Sequence, residues 1–348
     1  MKGASGWLKP FWQLLLMRLR SFVREPSATF WVFGFPLLMS IVLGLAFQNQ
    51  AGARLSVAVA EGPERPAVLG ALRASEGLST TEMTLDEAHR ALLSGKVALA
   101  VVPAATPRLL LDPTQPEARS AKLLVVDALQ RAAGRTDPRP LEEERVTLPG
   151  SRYIDFLVPG LLGFGLMSSS IWGVGWAIVQ MRIGKLLRRL AATPMRKLDF
   201  LLAFAAGRLL LALLEVLFFL GFARLIFDVR VAGNPLTFLL WGLLGALSFG
   251  GLSALVASRA QSSETASGLM NLVTLSMTVV SGVFFSASHF PGWAQPVLRA
   301  LPLTALIDGL RAISIDGAGV AALVGPALVL LLWGVGSFAL ALRLFRWT

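Results

Sequence analysis

The sequence predicts an α-helical membrane protein: six transmembrane helices, with a small α/β extracytoplasmic domain inserted between spans 1 and 2. Three observations carry that expectation. Of 348 residues, 55% are hydrophobic and the mean hydropathy is +0.66, more apolar surface than a soluble fold can bury. Apolar blocks long enough to cross a bilayer recur at 28–48, 155–180, 200–226, 235–257, 266–286 and 320–342. Between the first two lies a stretch of about 100 residues in which acidic and basic side chains are frequent and balanced, enough for a core of its own.

Charge and composition narrow the chemistry. The formal net charge is +11, which in a soluble protein would point to nucleic acid. Here Lys and Arg gather beside apolar blocks, so the excess reports membrane flanks and no nucleic-acid partner is expected. Cysteine is absent, which excludes disulfides, thiol catalysis and Cys-type zinc sites. The two histidines, His89 and His289, are too few for a His-rich metal site. No pair of carboxylates and no Ser/His/Asp set stands out, so neither catalytic nor metal residues are expected.

Residues 1–27 read as a cytoplasmic amphipathic helix. Trp7, Phe11, Leu14, Leu15 and Phe22 recur at helical spacing among Lys9, Arg18, Arg20 and Arg24, and Glu25-Pro26-Ser27 ends the run. Residues 28–48 carry no charge and form the first span; Pro36 inside it is tolerated in a membrane helix. Residues 49–152 alternate short β-type runs (55–60, 97–102, 109–111) with helical stretches (66–75, 85–94, 118–133), the pattern of an α/β unit. Residues 153–348 hold spans 2–6, with a cytoplasmic loop at 181–199. An outer region at 284–316, broken by Pro291, Pro296 and Pro302, reads as short helices dipping into the membrane, a backbone tolerated only where protein or a cavity covers it.

Basic residues set the orientation. They cluster before span 1 (Lys2, Lys9, Arg18, Arg20, Arg24), between spans 2 and 3 (Arg182, Lys185, Arg188, Arg189, Arg196, Lys197) and in the tail (Arg343, Arg346). Six spans put these three regions on one side, which is then the cytoplasm. The expectation is a multi-pass protein of the cell (inner or plasma) membrane with both termini cytoplasmic and the α/β domain outside.

The 181–199 loop contains one short amphipathic helix. Leu186, Leu187, Leu190 and Ala191 make its apolar face, and Lys185, Arg188, Arg189 and Arg196 surround it. Thr193-Pro194 forces a turn. A rigid element between two spans can be pushed by a partner and pass the push to both. This segment resembles the cytoplasmic coupling loop of ABC-2-type transporter permeases, a Gly followed by Leu-rich basic turns ending in Thr/Ser-Pro. Gly184, Lys185, Leu186, Arg188, Arg189, Leu190, Thr193 and Pro194 match in order. The subgroup it looks most like is the drug- and antibiotic-resistance exporters of the daunorubicin-resistance type. Where many relatives carry acidic residues before the Gly, this chain has Gln180-Met181-Arg182. A second match, Ser281-Gly282-Val283-Phe284-Phe285, Phe290-Pro291-Gly292-Trp293, Leu301-Pro302-Leu303-Thr304 and Leu310-Arg311, is similar to the family's outer re-entrant region.

The resemblance implies the permease subunit of an ATP-driven exporter that moves an amphipathic substrate, a lipid or a hydrophobic drug. It also implies a second permease copy or homologue, in a homo- or heterodimer within membrane lipid. Gly184, Lys185, Leu186, Leu187, Arg188, Arg189, Leu190, Thr193 and Pro194 would couple it to an ABC ATPase subunit. The sequence has no G-x-x-x-x-G-K-[ST] phosphate loop, so ATP and Mg are expected on that partner and no cofactor on these residues.

Polar residues inside the spans are few. Arg208 and Glu215 stand two turns apart on nearly one face of span 3. Arg208, about 12 Å along the helix from residue 200, is expected to snorkel to the inner surface. Glu215, Asn271 and Thr274 remain as candidates for a polar path or for holding the bundle together. Two rivals stay open: an ion-coupled secondary transporter, for which Glu215 is the clear intramembrane carboxylate, and a membrane sensor with an outer ligand-binding domain.

Overall fold

A computed structural model describes residues 26–48, 54–136, 152–192, 197–258 and 260–345, with Trp12, Leu16, Arg20 and Arg24 ahead of them. The expected amphipathic helix 1–27 thus lies largely outside the described residues, as do Thr193, Pro194 and Arg196. The chain divides into two compact units, one formed by Gln48–Val146 and one by Met1–Phe47 with Thr147–Thr348.

The Gln48–Val146 unit is a four-stranded sheet: β1 (Leu55–Val59), β2 (Leu78–Glu82), β3 (Leu99–Val102) and β4 (Arg108–Leu110), in the order β2-β1-β3-β4. β1 pairs parallel with β2 and β3, and β4 closes the edge antiparallel to β3. The pleat sorts the side chains: Val57 and Val59 point to one face, Ala58 to the other. The Val/Leu face packs helices α2 (Arg65–Arg73) and α4 (Pro116–Ala132) through Val68, Leu69, Leu72, Ala121 and Val125. The alanine face, Ala58 and Ala100, meets α3 (Leu85–Leu93) through Ala88, Ala91 and Leu92. A capping box starts α3: Glu87 N–H donates to Thr84 Oγ1 (3.3 Å), and Thr84 N–H donates to Glu87 Oε2 (2.9 Å). Those hydrogen bonds hold the Glu87 carboxyl below the usual carboxylate range. β2, which reads Leu-Ser-Thr-Thr-Glu, has one apolar residue and gave no run in the sequence.

The other unit is helical. Its first element, α1, covers residues 26–48 and passes through one π-turn at Phe30–Gly34 before continuing as Phe35–Gln48. Among the described residues, four helices are long and apolar enough to cross a membrane: α5 (Tyr153–Ile183), Phe200–Phe227 within α7 (Lys197–Phe227), α8 (Pro235–Ala257), and Val320–Leu344, which contains α12 (Val324–Leu344). Between α5 and α7 sits α6 (Leu186–Ala191). The sequence expectation was six spans, and its other two blocks form α1 and α9 (Ser263–Val280). α1 carries no charged side chain from residue 26 to residue 48, and Val32–Ala46 is its described apolar core. The 266–286 block is the helix α9, which carries Glu264, Asn271, Thr274, Ser276 and Thr278 among its apolar residues.

Residues 284–316 form a 3₁₀ turn (Ala287–His289) and two helices, α10 (Gln295–Arg299) and α11 (Pro302–Ser314). Leu303, Leu306, Ile307, Leu310 and Ile313 of α11 are fully buried in the core shared with α5 and α8. Gly309 permits that approach, because an added Cβ would overlap the Trp241 indole, whose Nε1–H donates to Leu306 O (3.0 Å).

Candidate functional site

The connection from α5 to α6 is a sharp turn. Gly184 ends α5, and Lys185 takes a left-handed conformation, φ 56° and ψ 14°. A non-glycine residue held there costs about 1 kcal/mol, so the neighbouring contacts must fix the turn. Leu187 supplies one: it is fully buried in the same core as Phe200, Leu201 and Phe204 of α7. Leu190 packs against that core, and Leu186 is half-buried. Gly184, Lys185, Arg188 and Arg189 are exposed. The expected coupling residues therefore split by role. Leu187 and Leu190 fasten α6 to the spans, while Lys185, Arg188 and Arg189 present cations outward.

Arg182, one turn earlier, is the residue whose role sequence reasoning missed. Its Nη1 donates to the carbonyls of Ala257 (2.6 Å) and Ala260 (2.6 Å), and its Nη2 to that of Ser258 (2.9 Å). These are carbonyls at the C-terminal end of α8, where the helix leaves acceptors unpaired and a partial negative charge. The guanidinium also lies 5.8 Å from the Phe345 ring centroid. At the opposite end of α5, Arg152 does the same for α7: it donates to Phe227 O (2.9 Å) and Asp228 O (3.4 Å) and pairs with Asp155 (2.8 Å). One helix thus caps two others, one at each end. Both arginines show in the sequence as flanking basic residues, but the carbonyls they cap lie about 75 residues downstream, and no local pattern marks that pairing.

Arg208 overturns the snorkelling expectation. It is 3% exposed and pairs with Glu215, also 3% exposed, at 3.1 Å. Its Nε donates to Ser170 Oγ (2.6 Å), and its Nη2 to Ser169 Oγ (2.7 Å) and Leu166 O (3.1 Å). Ser169 Oγ lies within hydrogen-bond distance of Glu215 Oε2 (3.0 Å) and Gly165 O (2.6 Å). A buried cation needs such a set, because unpaired charge in a low-dielectric interior is expensive. Snorkelling loses because the acceptors on α5 are closer than water. The cluster sits just before a π-turn in α5, Ile171–Gly175, where Ser253 of α8 donates to the Ile171 carbonyl (3.3 Å). Glu215 Oε1 is buried without a partner among the described residues, and a Cβ on Gly165 would press it at 3.0 Å.

Asn271 is exposed on α9; Thr274 is half-buried, its Oγ1 unpartnered and its carbonyl accepting from Thr278 Oγ1 (2.6 Å). The structure does not bring them to Glu215's hydrogen-bond cluster. The second sequence match is structural. Arg311 stacks 3.4 Å from the Phe156 ring centroid and donates to Phe156 O (3.2 Å) and Val283 O (3.3 Å). Tyr153 Oη donates to Phe284 O (3.0 Å). These contacts pin residues 283–311 to the Tyr153 end of α5. Among the described residues no group of three or more His, Asp or Glu side chains is placed to hold a metal ion.

Comparison with known proteins agrees in kind. A family model described as "ABC-2 family transporter protein" matches residues 26–343. "ABC transporter G family member 20" of Dictyostelium discoideum is 29% identical over 174 residues, 49% of this chain. This chain spans 23% of that relative's length.

Proposed function

Because the chain belongs to the ABC-2 transporter family, we propose that it is the permease of an ATP-driven exporter moving an amphipathic substrate, a lipid or a hydrophobic drug. ATP and Mg are bound by a separate ABC ATPase subunit. The observation that carries this reading is the split of α6 into a buried apolar anchor and an exposed cationic face, on a turn fixed at both sides. Arg188 and Arg189 flank Leu187, which is buried in the core that also holds Phe200 and Phe204 of α7, so force on the cations can pass into that core. The same push reaches α8 through Arg182. A partner on the basic side can therefore tilt three helices at once. Positive charge assigns that side to the cytoplasm.

A second copy, or a homologue, completes the pathway along α9. Asn271 and Ser276 are exposed on a helix that also turns the apolar Leu269, Leu272, Leu275 and Val279 outward. Amide and hydroxyl groups facing hydrocarbon are costly, so a partner helix or a water-lined path covers them. Few charges line the helices, which favours amphipathic cargo over ions. An ion-coupled transporter would use Glu215, but Arg208 and Ser169 already hold that carboxylate.

The test is charge reversal on the outward face. Arg188→Glu with Arg189→Glu, reconstituted with the co-purifying ATPase, lowers substrate-stimulated ATP hydrolysis to the level of the ATPase alone, with thermal stability unchanged. Full stimulation by this variant refutes the docking face.

A further inference from the structure

A groove of about 260 Å³ lies between α7, α8 and α12. It is apart from α6 and from the exposed face of α9, and the transport reading makes no use of it. Its walls are almost wholly apolar. Its rim residues Leu202, Leu247, Leu331 and Val335 are exposed, Val335 by 65%, so it opens sideways on the face the spans turn outward. Two polar groups break the apolar lining. Ser248 is 2% exposed and its Oγ has no hydrogen-bond partner among the described residues. Arg208 lines the groove too, and while its Nε and Nη2 are engaged, Nη1 has no hydrogen-bond partner among the described residues. A buried hydroxyl and a guanidinium N–H, both unpaired beside an open apolar groove, call for an apolar occupant that carries an acceptor oxygen.

Charge decides which oxygen. Arg208 is already balanced by Glu215 at 3.1 Å. A carboxylate or phosphate would bring a second, uncompensated anion into a buried site, whereas a neutral carbonyl would not. Depth agrees. The apolar segment Phe200–Phe227 has 28 residues. It is about 42 Å long against a hydrocarbon core of about 30 Å, so a centred helix overhangs by about 6 Å at each end. Arg208 then sits about 6 Å inside the boundary, within reach of a lipid ester drawn slightly inward.

We propose that this groove holds one acyl chain of a glycerolipid taken from the bilayer, with its ester carbonyl accepting from Arg208 and Ser248. The lipid is resident and needs no nucleotide, so its presence is independent of the transport reading. Gly250 lines the groove and has open space around a Cβ, so Gly250→Leu fills the volume without a backbone clash.

The experiment uses the purified protein in nanodiscs containing phosphatidylcholine with a diazirine at mid-chain, irradiated without nucleotide and mapped by mass spectrometry. Crosslinks are expected to concentrate in residues 244–254 and 330–338. Gly250→Leu is expected to lower their yield about tenfold, since the chain loses its packing partners outright; Ser248→Ala is expected to lower it severalfold. Crosslinks spread evenly over outward leucines such as Leu214, Leu217 and Leu332 overturn the proposal, and this wild-type pattern decides even if a variant fails to fold. So does preferential labelling by a free diazirine fatty acid, which would contradict the charge argument. Labelling that survives Gly250→Leu in a folded variant overturns it as well.

Discussion

Replacing Glu215 with Leu leaves Arg208 buried as an uncompensated cation, and the size of the penalty can be worked from the geometry. The pair is 3.1 Å apart, and both side chains are 3% exposed, so solvent screening is slight. At an effective dielectric of about 20 the attraction is about 5 kcal/mol before desolvation is counted. Removing one partner of a buried pair characteristically costs about 3–5 kcal/mol. Part is retained, because Ser169, Ser170 and the Leu166 carbonyl still accept from the guanidinium. Such intramembrane hydrogen bonds are worth about 0.6 kcal/mol each. The expected loss for Glu215→Leu is therefore about 3 kcal/mol. Arg208→Met combined with Glu215→Leu removes both charges and should recover most of it, giving a coupling energy of about 2 kcal/mol or more. Unfolding by SDS in mixed micelles, run on wild type, both single variants and the double variant, measures the cycle. A Glu215→Leu midpoint equal to wild type, or a double variant no better than the worse single one, refutes the claim that Glu215 compensates the buried Arg208 charge within α7.

Three further outcomes follow from the same contacts. Arg182→Ala removes charge-assisted hydrogen bonds to the carbonyls of Ala257, Ser258 and Ala260, and should cost about 2–3 kcal/mol in the same assay; Arg182→Lys, lacking the planar fork, should recover less than half. Gly309→Ala drives a methyl into the Trp241 ring and should destabilise by about 1–3 kcal/mol, while the open Gly268→Ala should change little; equal midpoints for the two would contradict the packing of α11 on α8. In the Gln48–Val146 unit, the Glu87 carboxyl titrates below its ordinary value. Its contribution is present above the ordinary carboxylate range and lost as pH falls through the lowered value. Amide protection factors in α3 of the full chain, corrected for the intrinsic pH dependence of exchange, should fall as pH drops below about 4.3, the ordinary Glu value, and Glu87→Gln should flatten that dependence.

What the sequence could show follows from the range of the physics involved. Apolar runs report burial locally, so α5, α7, α8 and α12 are legible from composition alone, and β1 is legible as a short apolar run buried on both faces. β2 is not, because an edge strand of Ser, Thr and Glu has one residue to bury. The π-turn at Phe30–Gly34 in α1 is hidden as well, because it leaves no compositional mark. For the site, the amphipathic pattern of α6 is readable in Leu187, Leu190, Arg188 and Arg189 because it is contained within two turns. The Arg208–Glu215 spacing is readable too, yet composition pointed the wrong way on Arg208, since its depth depends on the Ser169 and Ser170 hydroxyls of another helix.

Arg182 marks the limit most sharply. In sequence it is one more positive charge in a basic loop. In the fold it closes the α8 terminus and ties the α5–α6 corner to it. Stiffness at that corner is what separates a lever from an anchor. A loop whose cations merely attract a surface would tolerate a loose joint; one that must move α5, α7 and α8 together would not. The left-handed Lys185, the buried Leu187 and the capped carbonyls all limit the same joint, and they are the reason to read α6 as a mechanical part.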